Sequence, residues 1–285
     1  MIDTDLDVVY VDKFFRRLCF ESSGHIRMQQ GELITLIERT APPHLAAAWD
    51  RSGLQVAAGR AEIHRLAVCL DPTPAAIRSA LESGADMILS HHPLTIQPRF
   101  LDQRDAFHEA ARLLLGADVP LYAAHTSLDA NPHGPAAWLA HELDLRDLAV
   151  LLPTATPGYG IGMVGRLPAP VSGAELINRL APWLQRGHAA SAGPELPDTG
   201  IEVVALCPGS GGSLLEAAAA AGAAVMITGD IKYHAALESP LSILDVGHFL
   251  LEEEMMRRFA MTLSSTLPVT FIPGHDPVRP LPVTP

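Results

Sequence analysis

The apolar positions of this chain fall into a repeating order. From Leu66 onward, short continuous apolar runs alternate with stretches of helical spacing. "LAVCL" reads as a buried strand. "DPTP" is turn chemistry, and Pro74 suits the first position of a helix. "AAIRSALES" places Ile77, Ala80 and Leu81 at helical spacing, and Gly84 closes the segment. "DMILS" is the next strand and "PLYAAH" a third. Strand–helix–strand order with short links predicts parallel strands in a three-layer sheet. Upstream, a helical pattern carrying Leu33, Ile34 and Ile37 begins near Met28.

The same order recurs at residues 204–230. "VALC", "PGSGGS", "LLEAAAAAG" and "AAVMITGD" read as strand, turn, helix and strand. Aligned without gaps, Cys69 meets Cys207 and Gly84-Ala85 meets Gly222-Ala223. "HTSLD" (His125 to Asp129) then pairs with "HFLLE" (His248 to Glu252), each a histidine followed four residues later by a carboxylate. Two similar α/β halves are inferred. "GIGMVGRL" between them reads as a hairpin edge or connecting strand, and the tail "PGHDPVRPLPVTP" as irregular. Residues 1–27 share no clear period. Met28 is the expected start of the native chain, with the preceding residues an extension that is disordered or not native.

Composition narrows the functional classes. The 285 residues, 48% hydrophobic, suffice for one large or two medium domains. No stretch is long and apolar enough to span a bilayer, and the acidic N-terminus lacks the order of a signal peptide. Cys19, Cys69 and Cys207 are odd in number and far apart, which suits reduced thiols in a cytoplasmic protein. A formal net charge of −12, without any Lys/Arg-rich run, disfavours direct nucleic-acid binding.

The chemistry concentrates at strand ends. In "ILSHHPL" two imidazoles follow a strand directly. Alone, such a pair is more often an ordinary surface feature than a site. In a regular strand His91 and His92 would face opposite ways, but at the carboxyl end both can face a crevice and serve two different ions. If a helix begins at His248, the spacing of four puts His248 and Glu252 on one face. Asp129 also follows a predicted strand, where open parallel sheets bind ligands. Three histidines and two carboxylates are too many for one catalytic zinc and natural for two ions sharing a carboxylate. His125 reads equally as a core histidine or a group orienting a ligand, and His234 equally as a surface residue or a proton shuttle. Asp71 and Asp230 read as turn or cap residues. "GSGGS" could offer backbone N–H groups to an anion, but it lacks the lysine of a P-loop, and tight packing is the better reading.

Taken together, "APPHLAAAWDRSGLQV", "ILSHHPL", "AAHTSLDA", "CPGSGGS", "ITGDIKYH" and "DVGHFLLEE" resemble, in order, the Nif-three-like proteins, often called homologs of the type 2 form of GTP cyclohydrolase I. The resemblance covers about Met28 to Val278. It implies two intertwined three-layer α/β/α domains related by a pseudo-dyad: a first from 28–131 plus 242–278, and a second from 132–241, with 279–285 a Pro-rich tail. It implies a ring-shaped homohexamer and two divalent cations per chain, zinc, manganese, iron, cobalt or nickel. The ligand positions fall on His91, His92, Asp129, His248 and Glu252, with Glu252 bridging, while His125 and His234 match polar positions near the metals. This chain departs from the usual motifs at Arg51, Ser52 and Ser127, and at Phe249 to Leu251 after the last motif histidine.

The expected function is a dinuclear metal-dependent hydrolase. Two cations would hold a bridging water and lower its pKa from about 15.7 toward 7. The resulting hydroxide attacks C8 of a purine nucleotide or related small molecule, with His125 or His234 moving protons. A metal-dependent phosphoesterase and a metal-binding regulatory protein without turnover are the alternatives.

Overall fold

Thirteen strands and nine α-helices alternate along the chain in a computed structural model that describes residues 27–184 and 189–278. The expectations for residues 1–26 and for the tail 279–285 lie outside the described residues. In order they are β1 (Met28–Gln29), α1 (Gln30–Thr40), β2 (Gly53–Val56), β3 (Glu62–Ile63), β4 (Leu66–Cys69), α2 (Pro74–Glu82), β5 (Met87–Ser90), α3 (Ala106–Ala117), β6 (Leu121–Ala123), α4 (Thr126–Asp129) and α5 (Trp138–Glu142). There follow β7 (Arg146–Pro153), β8 (Gly160–Val171), α6 (Gly173–Leu184), β9 (Ala190–Ala192), β10 (Ile201–Ser210), α7 (Leu215–Ala220), β11 (Val225–Gly229), α8 (Tyr233–Leu237), β12 (Ser242–Asp245), α9 (His248–Leu263) and β13 (Val269–Phe271). Among the described residues no helix is long and apolar enough to cross a membrane.

The larger elements form two mixed sheets. The first runs β13-β4-β5-β6-β2, with β13, β4, β5 and β6 parallel and β2 antiparallel. The second runs β7-β8-β10-β11-β12-β9, with a parallel centre of β10, β11 and β12. Its remaining pairings are antiparallel. "GIGMVGRL" is therefore an interior strand of the second sheet, hairpin-paired to β7 and flanked by β10.

The repeat seen in the sequence is a structural one. Thr73 caps α2 by accepting from the N–H of Ala76, and Pro74 occupies its first turn. The helix ends as Ala85 N–H donates to Ala80 O and Gly84 adopts φ +76°, a left-handed turn that glycine makes without strain. In α7 the bond runs from Ala223 to Ala218, and Gly222 has φ +81°. Leu66 pairs with Met87 as Val204 pairs with Val225, so the gap-free alignment holds through both units.

Past those units the pairing of the two histidines is off by one residue. Leu121 pairs with Ile88, and Ile243 with Met226, the position equivalent to Ile88. Counting on, His125 matches Gly247, not His248. Both are the residues that precede their helices. The two His–carboxylate spacings are thus alike in sequence but not equivalent in register.

Strand β12 does not join the sheet of β13. It pairs instead with β11 and β9 in the second sheet, and only β13 rejoins the first. Local apolar pattern marks a strand but not the sheet that takes it.

Alternation along the strands divides the core. Leu66, Val68, Met87 and Leu89 share one apolar cluster with Val204, Leu206, Val225 and Ile227, and with Met255, Met256 and Phe259 of α9. The intervening Ala67, Cys69 and Ile88 pack on Ile77 of α2 and Leu114 of α3. Ala205, Cys207 and Met226 pack on Leu215 and Ala218 of α7. Each sheet so turns one face to a shared core and the other to its own helices. Helix α9, in the shared core, carries Glu252 at the carboxyl ends of strands from both sheets.

Candidate metal centre

His91 and His92 leave β5 in a pinned turn. Cys69 O and Leu70 O accept from His91 N–H at 3.2 and 3.1 Å, and Ser90 Oγ donates to His92 O at 2.7 Å. His91 is fully buried, and the two rings lie 5.0 Å apart at 51°. The turn out of the strand lets both face inward.

Glu252 lies between them and the second sheet. His92 Nε2 is 3.1 Å from Glu252 Oε2, and His248 Nε2 is 2.8 Å from the same oxygen. On the other side, His91 Nε2 is 3.6 Å from Glu252 Oε1 and 3.6 Å from Asp129 Oδ1. One carboxylate therefore faces two donor groups, one oxygen to each. All five residues expected as ligands come together. Among the described residues, two groups offer donor atoms close enough for an ion: His92, His248 and Glu252, and His91, His92 and His125.

Every imidazole in the cluster has its outer nitrogen taken. His91 Nδ1 bonds Ala124 O at 2.8 Å, His92 Nδ1 bonds Asp71 at 2.7 Å, His248 Nδ1 bonds Asp230 at 2.7 Å and His125 Nδ1 bonds Asp50 at 2.6 Å. Carbonyl and carboxylate oxygens only accept, so each Nδ1 carries a proton, and each ring, when neutral, turns a lone pair on Nε2 inward. The inward atoms His91 Nε2, His248 Nε2, Asp129 Oδ1 and Glu252 Oε2 are buried, face one another and make no well-formed hydrogen bond. This donor set fits divalent metal cations.

The electrostatics agree. Burial opposes charge on His92, yet Asp71 and Glu252 together raise its pKa to about 10. Burial likewise opposes charge on His248, and Glu252 and Asp230 raise it to about 9. His91 is raised too, against burial, by Asp129 and Glu252. Burial pushes Asp129 up to about 6. Glu252 is held well below the usual carboxylate range, despite its burial, by His91, His248 and His92. The carboxylates concentrate negative potential where a cation would sit.

Three aspartates enter this constellation that sequence alone assigned elsewhere or passed over. Asp71 does not cap α2, since Thr73 does. Asp230 does not cap α8, since that helix has no side-chain cap. Asp50 is buried and accepts from His125 Nδ1, Thr126 Oγ1 and Ser52 Oγ, which depress its pKa strongly although burial works against them. Ser52 and Ser127, both departures from the usual family motifs, meet each other at 3.1 Å. His234 is exposed on α8, edge-on to Tyr233, and belongs to neither donor group.

The glycine-rich turn makes room for this packing. Strand β10 runs on to Ser210, so "GSGGS" begins inside the strand. Gly209 has φ +65°, and a Cβ there would overlap Glu252 Oε1. A Cβ on Gly229 would overlap the backbone at His248. Both positions let strands of the second sheet approach the start of α9 at backbone distance. Beside His92 and His248 a cavity of about 520 Å³ opens outward.

Known proteins share this architecture. The family model Duf34/NIF3 (NGG1p interacting factor 3) matches residues 28–277. A GTP cyclohydrolase 1 type 2 homolog of Nostoc sp. is 35% identical over 247 residues, covering 84% of this chain and 92% of the relative. NIF3-like protein 1 of Drosophila melanogaster is 29% identical, covering 81% of this chain and 80% of its own length. Reduced HcgD from Methanocaldococcus jannaschii superposes with a TM-score of 0.76 at 28% identity, over 87% of this chain and 99% of that one. A Bacillus cereus protein related to NIF3 gives 0.78 at 20% identity, over 89% and 99%. The chain is a member of the Duf34/NIF3 family.

Proposed function

We propose that the chain is a dinuclear metal-dependent hydrolase of the cyclohydrolase kind. The carrying observation is the set of buried, unsatisfied atoms on His91, Asp129, His248 and Glu252. Leaving one such group unpaired costs about 1–3 kcal/mol. Four of them gathered on the two sides of Glu252 argue for occupants that accept their lone pairs. His91, Asp129 and Glu252 Oε1 would hold one cation, and His92, His248 and Glu252 Oε2 the other. When bound, such a pair supplies Lewis acidity and lowers the pKa of water toward about 7.

The remaining work falls to the chain itself. Asp50 fixes the Nδ1 proton of His125 and leaves its Nε2 free to take or return a proton beside His91 and His92. The exposure of His234 leaves His125 the better proton carrier. Burial of His91 and Glu252 keeps bulk water from competing at the inner side. In the cyclohydrolase reading the reaction is hydrolytic opening of a purine imidazole ring at C8. The repeated strand–helix–strand units support an internal duplication with two intertwined halves about a pseudo-dyad. A ring-shaped homohexamer belongs to the same reading, and sedimentation of the purified protein tests it.

The functional test is turnover. Metal-loaded protein is offered GTP, purine nucleosides and a panel of phosphoesters, beside His91→Ala and Glu252→Ala. Activity present in the parent and lost in both variants is expected. Activity that survives in both contradicts the dinuclear reading. Bound metal with no turnover of any compound favours the regulatory alternative.

A further inference from the structure

Trp49 and Asp50 invert the usual order of burial. Asp50, a carboxylate, is 8% exposed, while the indole next to it in the chain is 58% exposed. Single apolar residues on a surface are ordinary, but a buried charge beside a large exposed ring is informative. An indole is among the largest apolar surfaces a side chain can bury, and this one is left in solvent.

Backbone bonds fix where that ring stands. Asp50 N–H donates to Ala47 O at 2.9 Å, which closes a turn with Ala48 and Trp49 at its corner. Ala47 N–H donates to Thr126 Oγ1 at 2.9 Å. Asp50 Oδ2 accepts from Thr126 N–H at 3.1 Å and from Thr126 Oγ1 at 2.6 Å. Both ends of the turn are thus tied to the first residue of α4, the helix that delivers Asp129. None of these bonds uses the indole. Its ring partner among the described residues is His125, with centroids 5.8 Å apart and planes at 75°. His125 in turn lies 5.1 Å from His91 and 5.4 Å from His92. The exposed indole therefore stands at the edge of the donor group His91, His92 and His125.

On the dinuclear reading above, we propose that Trp49 is the stacking surface that holds the flat heteroaromatic ring of the substrate beside His125. An aromatic face accepts any base, and one such stack is worth about 5- to 150-fold in affinity. The pinned turn presents the indole already ordered, so little freedom is lost when a ring settles on it. A ring laid there stands next to the imidazole that carries the proton in the proposed reaction.

Calorimetric titration of the full-length, metal-loaded protein tests this. GMP and AMP are the ring-bearing probes, and ribose 5-phosphate is the ringless control. The parent should bind the nucleotides at least about fivefold more tightly than the control. Because the turn closes through backbone and Asp50, Trp49→Leu should fold and keep its metals. It should lose about tenfold or more in nucleotide affinity, whereas Trp49→Phe, which keeps a ring, should stay within about threefold of the parent. Nucleotides that bind no better than ribose 5-phosphate, or that bind Trp49→Leu as tightly as the parent, would overturn the proposal. A loss that Trp49→Phe does not restore overturns it too. Elemental analysis of the same samples reports on the metal centre separately. Two metals with unchanged nucleotide affinity in Trp49→Leu refute this inference and leave the dinuclear reading standing. Trp49-dependent binding in protein that takes up no metal supports the stacking surface and counts against the dinuclear reading.

Discussion

Gly209 sits so close to Glu252 that a single added methyl group would occupy the place of the carboxylate oxygen Oε1. The β10 turn thereby sets where the shared ligand can lie. Gly209→Ala should displace Glu252 and strain a backbone at φ +65°, costing about 1 kcal/mol or more from the backbone alone. The expected outcome is a folded protein that retains less than half the parent's metal. Circular dichroism and elemental analysis check it, and full metal content in this variant would refute the close-approach argument.

The aspartates behind the histidines should matter to affinity more than to fold. Asp71→Asn and Asp230→Asn each weaken the acceptor that fixes an Nδ1 proton on His92 or His248. Loss of such an outer partner typically lowers metal affinity about 10–100-fold. Competition with a coloured chelator measures it. Because Asp71 and Asp230 are partly or wholly exposed, the melting temperature of the chelated protein should barely move.

Proton competition predicts a pH dependence of two signs. His92 and His248, raised to about 10 and about 9, are protonated at neutral pH when no cation competes. Their contribution to stability is complete below their ordinary pKa of 6.5 and is lost as pH rises through 9 to 10. Chelated protein should therefore lose stability across that window. Metal affinity should rise across the same window, about tenfold per pH unit for each histidine that must deprotonate. Urea midpoints of chelated and loaded protein between pH 6 and 10 should diverge. Parallel curves would show that these imidazoles do not bind the metal.

The hydroxyl bridge between Ser52 and Ser127 offers a local test of how His125 is held. Ser52→Val removes one donor to Asp50 and the acceptor of His125 N–H. The loss of hydrogen bonds to a buried carboxylate should cost about 1–3 kcal/mol, read as a fall in the urea midpoint. The pH profile of any turnover should shift as well, whereas metal content should hold.

Part of this was legible in the sequence for simple reasons. His91 and His92 stand at the end of a continuous apolar run, and His248 and Glu252 share a helix face. Spacing along one element suffices for both. The matching strand–helix–strand units were legible because their caps, Thr73 with Pro74 and the glycines 84 and 222, are local chemistry. Asp50, Asp71 and Asp230 were not, because their partners lie 75, 21 and 18 residues away, and Asp71 and Asp230 also look like turn or cap residues. The one-residue offset at Gly247 is invisible in the sequence for a related reason. Equal spacing from histidine to carboxylate hid an unequal register, which only the pairing of β12 with β11 reveals.

The central claim is that one carboxylate serves two cations, each with its own remaining ligands. Metal stoichiometry in three variants tests it most directly. Asp129→Asn and His248→Ala should each retain about one of two metals per chain, since each removes a ligand from one side only. Glu252→Ala, which removes the shared ligand, should retain neither. If Glu252→Ala holds as much metal as Asp129→Asn, the carboxylate is not shared and the dinuclear account fails.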